Sequence, residues 1–137
     1  MLIAPVGELV TLFRTRGYEL HGAVGMEGQE PPAIRNDGFG SGQARRPQVI
    51  GFDAEARRIV FGLVRLNRED LDSEESLEEY NVFLDHNAGL GKQASLVLVL
   101  MPADLIPDFT AIISHYIHRE YWDRIIPVAS GLLPGPR

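Results

Sequence analysis

The chain contains no cysteine. Disulfides and thiolate metal sites are therefore excluded, and a reducing cytosol is the expected setting. Lysine is almost absent, since Lys92 is the one basic residue among 13 that is not arginine. That bias is read as genome composition rather than function. Long apolar runs are missing too. SLVLVLM (95–101) is far too short to span a bilayer, so no membrane partner is expected. The N-terminal MLIAPVGEL has neither a basic n-region nor a long apolar core, so no signal peptide is expected. No internal repeat and no low-complexity tract appears.

What is present suits one globular domain. A length of 137 residues allows a single domain over 1–137 with a real core. Hydrophobic residues at 45% and charged residues at 23% are ordinary for that class. The net charge of −6 is unevenly placed. EDLDSEESLEE (69–79) holds seven of the 19 acids and no base. Residues 35–68 hold seven arginines against Asp37, Asp53 and Glu55, a local balance of 7 − 3 = +4. Binding to nucleic acid rests on neutralising phosphates. The overall acidity opposes it, and the basic middle leaves Arg35, Arg45, Arg46 and Arg68 as contact candidates.

The apolar spacing predicts the elements. PVGELVTLFRTR (5–16) places Val6, Leu9, Val10 and Phe13 on one helical face, with Pro5 in the first turn and Gly17 beyond the last. YELHGAV (18–24) alternates as a strand does. A long connection over 27–46 follows, rich in glycine and proline, with a short strand expected near AIRN. Connections of that length are functional or disordered. RRPQVIGFDAEARRIVFGLVRL (45–66) reads as a hairpin with strands at 47–53 and 59–66. A helix is expected near 73–88. Asp72 and Glu75 have capping-box spacing, and Leu77, Tyr80, Phe83 and Leu84 form its inner face. Asn87 and Gly89 end it. Residues 95–101 are apolar on both faces, as in a central strand. Residues 104–118 form a further helix with Leu105, Phe109, Ile112, Ile113 and Tyr116 inward and Pro107 in its first turn. RIIPV (124–128) is a last strand, and Pro127 makes it an edge. The tail 131–137 is expected to fray. The order is αβ(loop)ββαβαβ. The fold class is α/β (mixed α+β), with a central mixed β-sheet flanked by helices on both faces.

That order, with VGELV in the first helix and RPQVIGFD…RRIVFGLVRL in the hairpin, resembles the PD-(D/E)xK nuclease superfamily, the restriction-endonuclease-like fold. The resemblance covers about residues 5–101 by layout. In that family the first hairpin strand carries Pro-Asp and the second carries Glu-x-Lys. Here Pro47 matches the proline, Gln48 takes the aspartate position, Leu63 the glutamate position and Arg65 the lysine position. Glu8 matches a glutamate that several members use as an additional metal ligand. Two carboxylates hold Mg²⁺, which neutralises developing charge on the phosphate and helps generate the attacking hydroxide. Gln48 is a poor hard-ion ligand, Leu63 is none, and Arg65 stays charged and cannot act as a base. Loss of orthodox nuclease activity is the physical consequence.

The resemblance therefore implies a degenerate nuclease fold without catalysis, acting as a nucleic-acid-binding or protein-assembly module. Its basic middle meets nucleic acid or the acidic helix start of a second copy, as in a homo-oligomer, and no cofactor is expected. The alternative is a deoxyribonuclease dependent on Mg²⁺ or Mn²⁺, with Glu8 and carboxylates migrated to Asp70, Asp72, Glu75 and Glu79. Those acids also suit capping and a solvated helix face. A third reading is a small-ligand or metal-binding protein using the loop 27–46. His115 and His118, three apart, form a weak alternative metal pair on the last helix. Tyr116, Tyr121 and Trp122 are read as covering the core edge or an interface. GFGSG (38–42) is read as a flexible loop rather than a phosphate cradle.

Overall fold

The computed structural model describes residues 3–34, 44–86 and 94–132. The first helix, α1 (Ala4–Thr15), starts with proline in its first turn. It stops at Gly17, whose φ of +79° carries the chain out of the helix. Val6, Leu9, Val10 and Phe13 are buried along one stripe. Leu9 and Phe13 are fully buried, and each contributes about 1.5–3 kcal/mol of transfer free energy.

Five strands form one sheet in the order β1-β2-β3-β4-β5. They are β1 (Glu19–Ala23), β2 (Val49–Asp53), β3 (Arg58–Val64), β4 (Leu96–Met101) and β5 (Ile125–Ala129). The first three pair antiparallel. The last three pair parallel. The expected mixed sheet is thus present. The β2–β3 turn has no Asn-Gly. Instead Arg57 takes a left-handed φ of 58°, and Asp53 Oδ1 accepts from Ala56 N at 3.2 Å.

Helices cover both faces. Against one face, α1 packs on Val49, Val60, Leu96, Leu98 and Leu100. Gly51 and Gly62 admit it, since a Cβ on Gly51 would stand 2.9 Å from the Phe13 ring and one on Gly62 would stand 3.2 Å from it. The other face carries Phe61, Leu63, Val97, Val99 and Met101 under α3 (Glu74–Asp85) and α4 (Ile106–Tyr116). Every residue of β4 is buried, as a strand covered on both sides requires.

The helix expected near 73–88 is two pieces. A one-turn helix, α2 (Arg68–Leu71), is capped by Asn67, whose Oδ1 accepts from Asp70 N at 3.0 Å. Ser73, not Asp72, then caps α3, its Oγ accepting from Ser76 N at 3.1 Å. Asp72 lies between the two helices and pairs with Arg68 at 3.3 Å. The expected end signals Asn87 and Gly89 lie outside the described residues; α3 ends at Asp85. The expected helix 104–118 opens as a 3-10 turn at Ala103–Leu105 and ends at Tyr116. Because the backbone becomes extended there, Ile117 turns inward at 4% exposure and Tyr116 is left 53% exposed, contrary to expectation.

Within the long connection, Ile34 and Arg45 form an isolated antiparallel bridge rather than a strand, and Arg35 and Asn36 of the AIRN stretch where a strand is expected lie outside the described residues. Residues 35–43, including Arg35 and the GFGSG stretch, lie outside the described residues, as does 133–137 of the expected frayed tail. Among the described residues no helix is long and apolar enough to cross a membrane.

Candidate functional site

The chemistry-bearing residues of the hairpin gather where β3 ends and α2 and α3 begin. A polar pocket of about 250 Å³ opens there, lined by Gln48, Arg65, Asp70, Glu75 and Glu79 together with Ser73, Ser76 and Val64. Leu63 and Arg65, two apart, point to the α3–α4 face. Leu63 is fully buried in the core beneath that face and does not line the pocket. Arg65 lies just past β3, and its backbone N–H extends the parallel ladder by donating to Leu100 O at 2.9 Å.

The Arg65 guanidinium is 7% exposed, and all three of its nitrogens are engaged. Nη2 donates to Glu79 Oε1 at 2.7 Å, Nε to Tyr80 Oη at 3.1 Å and Nη1 to Val64 O at 3.0 Å. It also lies 5.1 Å from the centre of the Tyr80 ring. Tyr80 passes the network on, donating to Leu71 O at 2.9 Å. Burial works against the Arg65 charge, but Tyr80 and Glu79 outweigh it and hold the pKa above its usual value. Burial pushes the Tyr80 hydroxyl up, so at neutral pH it stays protonated and Glu79 is the charge partner.

Gln48 precedes β2, and its Oε1 accepts from Val64 N at 3.1 Å. The amide therefore completes a strand contact. The remaining acids have local work. Asp70 Oδ2 accepts from Leu66 N at 3.2 Å. Glu75 and Glu78 hold Arg45 at 3.4 Å and 2.9 Å. Asp72 pairs with Arg68, which also reaches Asp108 at 3.6 Å. The acidic helix start thus meets the basic middle of its own chain. Of the four nucleic-acid contact candidates, Arg45 and Arg68 are paired in this way, Arg46 is exposed, and Arg35 falls outside the described residues.

Glu8 is elsewhere. It belongs to α1, on the opposite face of the sheet, and ties down the chain after β5. Its Oε1 accepts from Ser130 Oγ at 2.6 Å and its Oε2 from Gly131 N at 2.7 Å. His115 and His118 do not share a helix face, because α4 ends at Tyr116. His115 stands edge-on to Tyr116 at 4.6 Å, and His118 caps the following 3-10 turn, Nδ1 accepting from Glu120 N at 3.2 Å. Among the described residues, no group of three or more histidines, cysteines or acids is placed to hold a metal ion.

Sequence reasoning named Arg65 and Glu79 but did not pair them, and it placed Tyr80 in the core alone. Only the fold brings the three together, 14 and 15 residues apart in sequence. As built, the pocket offers hydrogen bonds around a neutralised ion pair rather than two bare carboxylates facing one point. Compared with protein-family models, curated proteins and solved structures, the chain matches none of them.

Proposed function

We propose that this chain is a non-catalytic relative of the nuclease fold it resembles and works as a binding module, with protein rather than nucleic acid as its partner. The observation that carries the reading is the ion pair of Arg65 with Glu79 at 2.7 Å. It places a fixed cation among the acids that a relocated metal would need, and a guanidinium cannot be deprotonated to make room. The element order and the mixed sheet agree with the layout that the resemblance implies. A protein partner is favoured because the net charge is −6 and the acidic stretch already pairs with Arg45 and Arg68.

The competing reading, a nuclease with migrated carboxylates, draws on the gathering of Asp70, Glu75 and Glu79 around one pocket. Titrating Mg²⁺ and Mn²⁺ against supercoiled plasmid and branched DNA separates the two. The expected result is no cleavage with either ion. Cleavage that appears with metal and disappears in Glu79→Gln overturns the non-catalytic reading. DNA binding that weakens steeply with salt moves the partner from protein to nucleic acid.

A further inference from the structure

Four of the described arginines are at least partly buried: Arg45, Arg58, Arg65 and Arg124. Arg45 and Arg65 meet glutamates at 2.9 Å and 2.7 Å, and Arg58 lies 3.9 Å from Asp53. Arg124, at the end of the 3-10 turn Arg119–Arg124, forms no ion pair among the described residues. It is nevertheless held in place. Its Nη1 donates to Leu84 O at 3.1 Å and to Ser95 O at 3.0 Å, and its guanidinium lies 4.9 Å from the centre of the Tyr121 ring. Its Nε and Nη2 have no acceptor among the described residues. Arg124 lines a polar cleft of about 590 Å³ at the N-terminal ends of β3, β4 and β5, the opposite end of β3 from Arg65. Arg58, the first residue of β3, lines it too, with Glu55 from the β2–β3 turn and Asp123. The Arg58 Nε is shut off from water beside Asp53, while the side chain as a whole keeps 28% of its surface exposed.

We propose that this cleft binds a small phosphate ester, its phosphoryl group held between Arg58 and Arg124. Guanidinium forks match phosphoryl oxygens in geometry and charge. Two arginines balance a phosphate monoester, which carries about −1.5 to −2 at neutral pH, whereas a carboxylate needs only one. Arg124 is already oriented by two carbonyls and a ring, so little freedom is lost when an anion meets it. The cations are half-buried, while Glu55 and Asp123 are exposed at the rim and form no ion pair among the described residues. That arrangement separates a compact ligand from an extended polyanion. A nucleic-acid strand would carry its neighbouring phosphates past both carboxylates, on a chain whose net charge is −6. A single phosphoryl group sits inward of them, and hydroxyls on the ligand's body donate to them instead. The volume falls among small-molecule sites, about 300–1,000 Å³, which leaves room for that body. The inference uses none of the residues around Arg65, so it stands whether or not the chain has a protein partner.

The probes are ribose 5-phosphate, inorganic phosphate and ribose, each titrated into the whole protein in a calorimeter, with chloride holding the ionic strength constant. Ribose 5-phosphate is expected to bind saturably at one site, inorganic phosphate more weakly and ribose not at all. Arg58→Gln is expected to weaken ribose 5-phosphate about tenfold or more, the loss that follows from removing hydrogen bonds to a charged group. Glu55→Gln with Asp123→Asn changes only exposed side chains and keeps the test open should Arg58→Gln fail to fold. It is expected to tighten inorganic phosphate and to narrow the preference for the ester over it. No saturable binding of ribose 5-phosphate, binding of ribose alone, or affinity unaltered in both variants overturns the proposal. Inorganic phosphate binding as tightly as the ester overturns it too, as an adventitious ion only. Duplex DNA binding that Arg58→Gln weakens would make a nucleic-acid backbone the source of the phosphate and likewise overturns the small-ligand reading.

Discussion

The carboxylate of Glu79 meets the guanidinium of Arg65 at 2.7 Å, with the two side chains 15% and 7% exposed. A pair this sheltered is strongly asymmetric in its responses. Removing one partner strands the other charge, whereas replacing both with apolar groups of similar volume is nearly neutral. Glu79→Ala is therefore expected to cost about 3–5 kcal/mol. The double variant Arg65→Met with Glu79→Leu is expected to recover most of that loss. Urea denaturation of the wild type, Arg65→Met, Glu79→Leu and the double variant measures the coupling; additive single effects would show that the pair is not coupled.

Tyr80 gives the site a pH signature. Its hydroxyl is held above the ordinary 10.0, mainly by burial. A pKa raised in the folded state means that the folded protein binds the proton more tightly than the unfolded chain. The resulting stability is full below about pH 10 and is lost as pH rises toward the folded value. Tyr121, raised mainly by its bond to Asp85, adds in the same direction. The urea midpoint is expected to fall above pH 10, and Tyr80→Phe is expected to flatten that fall while lowering stability at neutral pH through loss of the bonds to Arg65 and Leu71.

Glu8 acts as a clasp between α1 and the segment after β5. Glu8→Ala removes the carboxylate that accepts from the Gly131 amide and the Ser130 hydroxyl. The expected loss is about 0.5–1.5 kcal/mol, because water can replace the acceptor at these exposed and half-buried groups, with faster hydrogen exchange at Gly131 and little change at Arg65. Unaltered exchange at Gly131 would mean that the clasp does not hold the segment in solution.

Pro127 guards the sheet edge. Replacing it with threonine restores an outward N–H in the middle of β5 without adding bulk. Pro127→Thr is expected to form concentration-dependent oligomers on size-exclusion chromatography where the wild type does not, because an unguarded edge recruits strands. Identical elution of the two proteins would assign edge protection to some other feature.

Local patterns explain how much of this was readable in advance. The α1 stripe, the hairpin, the all-buried β4 and the proline-marked edge each rest on spacing within a few residues, and each appears in the structure. The division of 68–85 into α2 and α3 was hidden because Asn67 and Ser73 are both good caps and Asp72 competes between them. Tyr116 was misplaced because inward spacing was extended one residue past the real helix end. Glu8 with Ser130 could not be paired in advance, since they are 122 residues apart and neither sits in a motif that names the other. Arg65 with Glu79 needs the return of α3 over the sheet, which is a property of topology rather than of spacing.

The two halves of the sheet imply an order of assembly. Asp53 pairs with Arg58 across a short turn, whereas Val60 must find Leu96 and Val97 must find Ile125. Chain entropy favours closing the nearest contacts first. The hairpin is expected to zip early and serve as the template on which β4 and then β5 are laid, with the Glu8 clasp closing last. Such a late contact slows unraveling without hastening folding, so its loss should register in the unfolding arm of a chevron plot alone.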